Sequence, residues 1–116
     1  MNITTPLYQG QLLSGASAAD TTGIAIFPPV ISGKMLETTL YVVFSSAAAA
    51  GTVLLESAHH ITYSGTWATE ATVSWAAGGT VKVAHLTAVN NAMRVRISSA
   101  ITSGTVDVYA VCLGPS

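Results

Sequence analysis

The sequence is short of charge. Only 8% of its 116 residues are Asp, Glu, Lys or Arg, and the formal net charge is −1. An ordinary globular domain carries about 25%. The four cations Lys34, Lys82, Arg94 and Arg96 form no basic patch, which argues against nucleic-acid binding by phosphate neutralisation. Cysteine is nearly absent. A single Cys112 excludes an internal disulfide, and with it a disulfide scaffold. Long apolar runs are missing as well. No window reaches the ~18 apolar residues of a membrane-spanning helix. Residues 1–6 hold neither a basic stretch nor an apolar run, so no secretory leader is expected and synthesis in a cytosol follows.

What is present is apolar and hydroxylated. Half of the residues (50%) are hydrophobic, and there are fifteen Thr and twelve Ser. That much apolar content excludes disorder, and the length suits one domain with its own core. Alanine is the commonest residue, yet no segment keeps a helical stripe over three turns. Period-2 alternation is clear instead. Met93, Val95 and Ile97 fall on one side of a strand, and Arg94 and Arg96 on the other. Val106, Val108, Ala110 and Cys112 share a side, as do Trp67, Ala71, Val73 and Trp75.

The pattern predicts strands near 24–30, 36–46, 52–60, 66–76, 80–87, 92–101 and 104–113, with a weaker one near 11–15. Ala77-Gly78-Gly79 and Asn90-Asn91 read as tight hairpin turns, and Ser64-Gly65 and Ser103-Gly104 as further turns. Pro28-Pro29 ends a strand or marks an edge. Ala47 to Gly51 reads as a loop, because four alanines alone cannot nucleate a helix. The expected fold is an all-β antiparallel sandwich of seven or eight strands, either jelly-roll or immunoglobulin-like. Trp67 and Trp75 are the expected core anchors, supported by Phe27, Phe44 and Tyr41. Residues 1–23 are polar, with brief apolar pairs such as Leu12-Leu13. They read as an N-terminal arm, disordered or laid against a partner subunit, ahead of a sandwich domain at 24–116.

Candidate chemistry is sparse. His59 and His60 are adjacent, so on a strand they point to opposite faces and cannot chelate one ion. His85 can approach one of them, but no Cys or carboxylate cluster completes a ligand set. Cys112 sits in an apolar strand, as inert thiols do, and no Gly-x-Ser-x-Gly elbow exists. Gly78-Gly79 lacks the Lys-Ser/Thr of a phosphate loop. Glu56 and Glu70 flank one hairpin and can come close, as a paired carboxylate site requires. The simpler reading gives each a strand face or an arginine partner. No catalytic residue, cofactor or metal is expected. Arg94, Arg96, Tyr8, Leu12 and Leu13 are the candidate partner interface. Tyr63 and Trp67 are a candidate glycan platform. A surface this poor in charge favours association, so a homo-oligomer, with a trimer favoured, is expected.

Four segments carry a resemblance: Gly51-Thr52-Val53-Leu54-Leu55-Glu56-Ser57, Ser64-Gly65-Thr66-Trp67-Ala68, the Arg94-Val95-Arg96-Ile97 strand and the closing Gly104-Thr105-Val106-Asp107-Val108-Tyr109. Over about residues 36–113 the chain resembles small β-sandwich virion proteins of tailed bacteriophages. His59-His60-Ile61-Thr62 stands where such proteins often carry an Asn/Asp-Gly turn. The resemblance implies a capsid cement or decoration protein, made in the host cytoplasm. Such proteins sit as trimers on the virion and bridge major capsid subunits. Two other readings stay open. One is a glycan- or receptor-binding module on a head or tail fibre, and the other a tail or neck structural subunit.

Overall fold

The alternating segments form strands. The computed structural model describes residues 4–26, 35–60, 62–76, 81–90 and 92–115. Eight strands follow in order: β1 (Thr4–Ala16), β2 (Ile24–Ile26), β3 (Met35–Phe44), β4 (Ala50–Ala58), β5 (Ala68–Ser74), β6 (Val81–Asn90), β7 (Ala92–Thr102) and β8 (Val106–Pro115). They make two four-stranded antiparallel sheets, ordered β1-β8-β3-β6 and β2-β7-β4-β5. The first strand thus pairs with the last, the second with the seventh, the third with the sixth and the fourth with the fifth. That is the order of a jelly roll, one long antiparallel ribbon rolled into two sheets. The immunoglobulin-like alternative is set aside by this order.

The roll corrects the expected hairpins. Among the described strands, only β4 and β5 are consecutive and share a sheet. Between β6 and β7, where Asn90-Asn91 was expected to make a hairpin, the chain crosses to the facing sheet instead, and the turn expected at Ser103-Gly104 also leads across the sandwich. So does the connection holding Ala77-Gly78-Gly79, which itself lies outside the described residues, as do Phe27, Pro28-Pro29, Lys34 and Asn91. Turn chemistry marks a chain reversal and does not say which strand is met afterwards. Ser103 takes the positive φ of this turn (63°), and a Cβ on Gly104 would strike Ser45 Oγ and the Ala48 nitrogen. The loop expected over Ala47 to Gly51 lies instead at residues 45–49, since Ala50 and Gly51 already belong to β4, and Ala49 N–H to the Thr102 carbonyl at 2.9 Å ties it down.

The core lies between the sheets. Leu40, Val42 and Phe44 of β3 and Val106, Val108, Ala110 and Cys112 of β8 face Val53 and Leu55 of β4 and Met93, Val95 and Ile97 of β7. Each Val, Leu, Ile, Met or Phe among them, once buried, contributes about 1.5–3 kcal/mol. Thr38 is the buried hydroxyl among them, and it donates to Met93 Sδ (3.3 Å) or Cys112 Sγ (3.6 Å). Two expected anchors are placed otherwise. Tyr41 is exposed on the outer face, because its neighbours Leu40 and Val42 take the inward parity. Trp67 is buried outside the sandwich core, and Trp75 only packs against its margin.

The segment expected as an arm contains the edge strand β1. It pairs with β8 from Thr4↔Pro115 to Ala16↔Val106. The weaker strand expected near 11–15 is its C-terminal part, and the register slips there between Gln11 and Leu13, where the partners are Tyr109 and Val108. A bulge of this kind breaks period 2. Leu12 and Leu13 can then both pack against the chain's own core, and they do. Truncation of residues 1–20 therefore removes a structural strand. We expect it to abolish cooperative folding, and Leu13→Ala to lower stability by about 1.5 kcal/mol in urea denaturation. An unchanged midpoint for Leu13→Ala would place β1 outside the folding unit.

Candidate functional site

The outer face of the β2-β7-β4-β5 sheet holds a buried ion cluster. Glu56 stands opposite Arg94 across the β4–β7 ladder, and Arg96 lies two residues further on the same face. Arg94 Nε donates to Glu56 Oε1 at 2.8 Å, and Arg96 Nε lies 3.0 Å from Oε2, off the line of a hydrogen bond. Glu56 is 3% exposed. The candidate interface arginines are thus spent largely within the chain. Glu70, the other carboxylate of the conjectured pair, accepts from Ser57 Oγ at 2.9 Å. Glu56 is enclosed by the two guanidinium groups, and each of its oxygens lies within 3.0 Å of an arginine nitrogen.

Two loops cover this cluster. From the β4–β5 loop, Trp67 lies under the Arg94 guanidinium, 4.5 Å from Cζ to the ring centroid. Its Nε1 donates to the Tyr63 carbonyl at 2.9 Å. Trp67 is therefore a buried prop and not a platform, its face covered by a cation. Tyr63 stays 39% exposed and packs on His59, with ring centroids 4.9 Å apart. From the β1–β2 loop, Asp20 N–H donates to the Ile97 carbonyl (2.8 Å), and Arg96 Nη1 donates to the Asp20 carbonyl (3.2 Å). Gly23, with φ 73°, lies flush on β7, where a Cβ would come within 2.5 Å of the Val95 oxygen. Between the loops is a cleft of about 560 Å³ lined by Thr22, Tyr63, Ser64, Trp67 and Arg94.

The outer face of the β1-β8-β3-β6 sheet is built differently. Across its middle run Gln11, Tyr109, Tyr41 and Val83, each opposite the next. Val43 stands opposite Val81 and Asp107 on one side of this row, and Thr39 opposite Val111 and His85 on the other. Val81 and Val83 are 57% and 58% exposed, and Tyr41 and Tyr109 are exposed too. Among the described residues no Lys or Arg takes an outward position on this face. Its two acids, Glu37 and Asp107, sit toward opposite ends of the β3–β8 pair. Asp107 Oδ1 is further engaged by the Gly15 N–H at 2.7 Å.

The remaining candidates are scattered. His85 is held by Thr39 Oγ1 (2.8 Å) and Thr87 Oγ1 (3.2 Å) on the open face. His60 Nδ1 lies 2.7 Å from Thr62 Oγ1 and 3.2 Å from the Thr62 nitrogen. Among the described residues no group of three or more His, Cys, Asp or Glu stands together, and no Ser or Cys is hydrogen-bonded to a histidine. Cys112 is buried, and desolvation pushes its thiol pKa up. Tyr8 lies on β1 opposite Cys112, with its side chain outside the described residues. The sequence named Glu56 and both arginines but not the Trp67–Arg94 stack or the Asp20 anchor. The signal for the cluster was the alternation that puts Arg94 and Arg96 on one polar face, with Glu56 among the acids expected to pair with an arginine. Compared with known protein families, curated proteins and solved structures, the chain matches none.

Removing Glu56 leaves two guanidinium groups facing each other in a half-buried site. Glu56→Ala should destabilise by about 3 kcal/mol, and a double-mutant cycle with Arg94→Ala should recover much of that coupling. A loss below about 0.5 kcal/mol would mean the cluster is solvated as an ordinary surface pair. Asp20 gives a pH test. The Thr22 and then the Gly23 N–H hold its carboxyl below the ordinary 3.8. A carboxyl lowered by folding adds stability above its unfolded pKa, and this is lost as pH falls through the folded one. Stability should therefore decline below about pH 4, and Asp20→Asn should flatten that decline in acid titrations followed by circular dichroism. Identical acid limbs for both proteins would remove Asp20 from the account.

Proposed function

We propose that this chain is a structural virion protein, without enzymatic activity, that decorates and stabilises a phage capsid by bridging major capsid subunits. The observation that carries the reading is the open face of the β1-β8-β3-β6 sheet. It is apolar at its centre and carries acids only toward its ends. Contiguous exposed apolar surface marks interaction sites in soluble proteins. The polar groups of the other candidate site support the reading too, since hydrogen bonds and ion pairs already engage Glu56, Glu70 and Asp20. Stabilisation would follow from mass action: a protein that binds the assembled shell and not its separated subunits raises the shell's stability. Fold alone does not decide this, because jelly rolls serve many functions.

The test is co-sedimentation with purified phage capsids, followed by heating. Saturable binding with a raised capsid melting temperature is the expected result. Absence of binding at micromolar concentration overturns the reading. Ring or tube symmetry in electron micrographs would assign the chain to a tail or neck instead.

One observation favours a second reading, a glycan- or receptor-binding module. Exposed Tyr63 stands beside a cleft lined by Thr and Ser hydroxyls. An aromatic ring next to hydroxyls is the chemistry that stacks and hydrogen-bonds a sugar. Trp67→Ala is not a clean probe, because Trp67 props the loop. Tyr63→Ala is the informative variant, and glycan-array binding that it removes would establish this second reading.

A further inference from the structure

We infer that the open face of the β1-β8-β3-β6 sheet packs against the same face of a second copy of this chain. The inference rests on the reading of that face as an assembly surface and names its first partner. Area is the first argument. Four strands about 4.8 Å apart and about 34 Å long present about 650 Å². Two such faces together would bury about 1,300 Å², within the range of specific, stable interfaces.

Composition is the second argument. The centre of the face is Tyr41, Tyr109 and Val83, flanked by Val43 and Val81 in the row that ends at Asp107, and the tyrosines are direct cross-strand neighbours. Interface centres are enriched in tyrosine and depleted of charge, whereas their rims are polar. Here the rim is Glu37, Asp107 and the hydrogen-bonded Thr39–His85–Thr87 set. A twofold axis brings a surface onto itself, so an uncharged centre needs no complementary charge to be its own partner. A partner that recognised this face by charge would need bases for its two acids, Glu37 and Asp107, which stand in opposite end rows of the face. Two stacked sheets also meet at the ordinary spacing of a sandwich, about 10 Å, with valine and tyrosine side chains filling the gap.

The experiment is sedimentation velocity on the full chain from about 1 to 100 µM, beside Val83→Lys and Val83→Thr. Val83 is exposed on an edge strand, so both variants should keep the wild-type melting curve. The expected result is a concentration-dependent dimer whose dissociation constant rises at least tenfold in Val83→Lys and severalfold in Val83→Thr. If Val83→Lys fails to fold, Val83→Thr decides alone. A wild-type protein that stays monomeric across the range overturns the inference, and so does self-association that neither variant weakens. A monomer that still binds capsids would sink the self-contact and leave the decoration reading standing. A dimer that binds no capsid would do the reverse.

Discussion

A carboxylate held between two guanidinium groups organises one whole side of the molecule. Taking Glu56 out of water without partners would cost several kcal/mol, so its position is tolerable only with Arg94 and Arg96 in place. The pairing comes from the β4–β7 register, which sets Glu56 opposite Arg94. The dependence also runs the other way. Sliding β4 by one residue would turn Glu56 toward the core and Leu55 toward the loops, so the cluster resists that slip. The loops then hang from the same three residues. Arg94 carries Trp67 and with it the β4–β5 loop, and Arg96 holds the Asp20 carbonyl and with it the β1–β2 loop. The cleft beside Tyr63 exists because those two loops are fixed to one sheet by one group of charges.

Local alternation made much of the architecture legible, and non-local pairing hid the rest. Met93 to Ile97 and Val106 to Cys112 show their buried sides in the sequence, and both are central strands of the sandwich. The jelly-roll order was not legible. A Gly- or Asn-bearing turn looks the same whether the chain returns beside itself or crosses to the facing sheet. β1 showed only as a weak strand near 11–15, because its bulge lets two successive leucines pack inward and breaks period 2 there. Trp67 misled because a large aromatic on an alternating segment reads as core. Its partner is a cation on the outer face, 27 residues away in sequence, and no periodicity reports such a contact. Tyr41 misled for the opposite reason: alternation places it outward, and residue type alone suggested inward.

The low charge of the chain is unevenly spent. Glu56, Arg94 and Arg96 lie on one outer face, beneath loops, while the opposite outer face keeps Glu37 and Asp107 toward its ends. The two sides of the sandwich therefore differ in kind. One is closed by its own loops, and the other is a broad sheet surface with tyrosine and valine exposed at its centre.

The edge of that open sheet sharpens the difference. β6 is an edge strand, and along it the valines at 81 and 83 point outward while Lys82 shares the inward parity of Ala84 and Leu86. This is the reverse of ordinary amphipathic placement. An inward-pointing lysine on an edge strand hinders a second strand from extending the sheet, because strand addition would bury the ammonium group. It places no such obstacle in front of the face itself. Edge-on growth is discouraged by Lys82, whereas face-on contact meets uncharged side chains across the middle row, Gln11, Tyr109, Tyr41 and Val83. The same strand thus blocks an open-ended mode of association and leaves the closed one available.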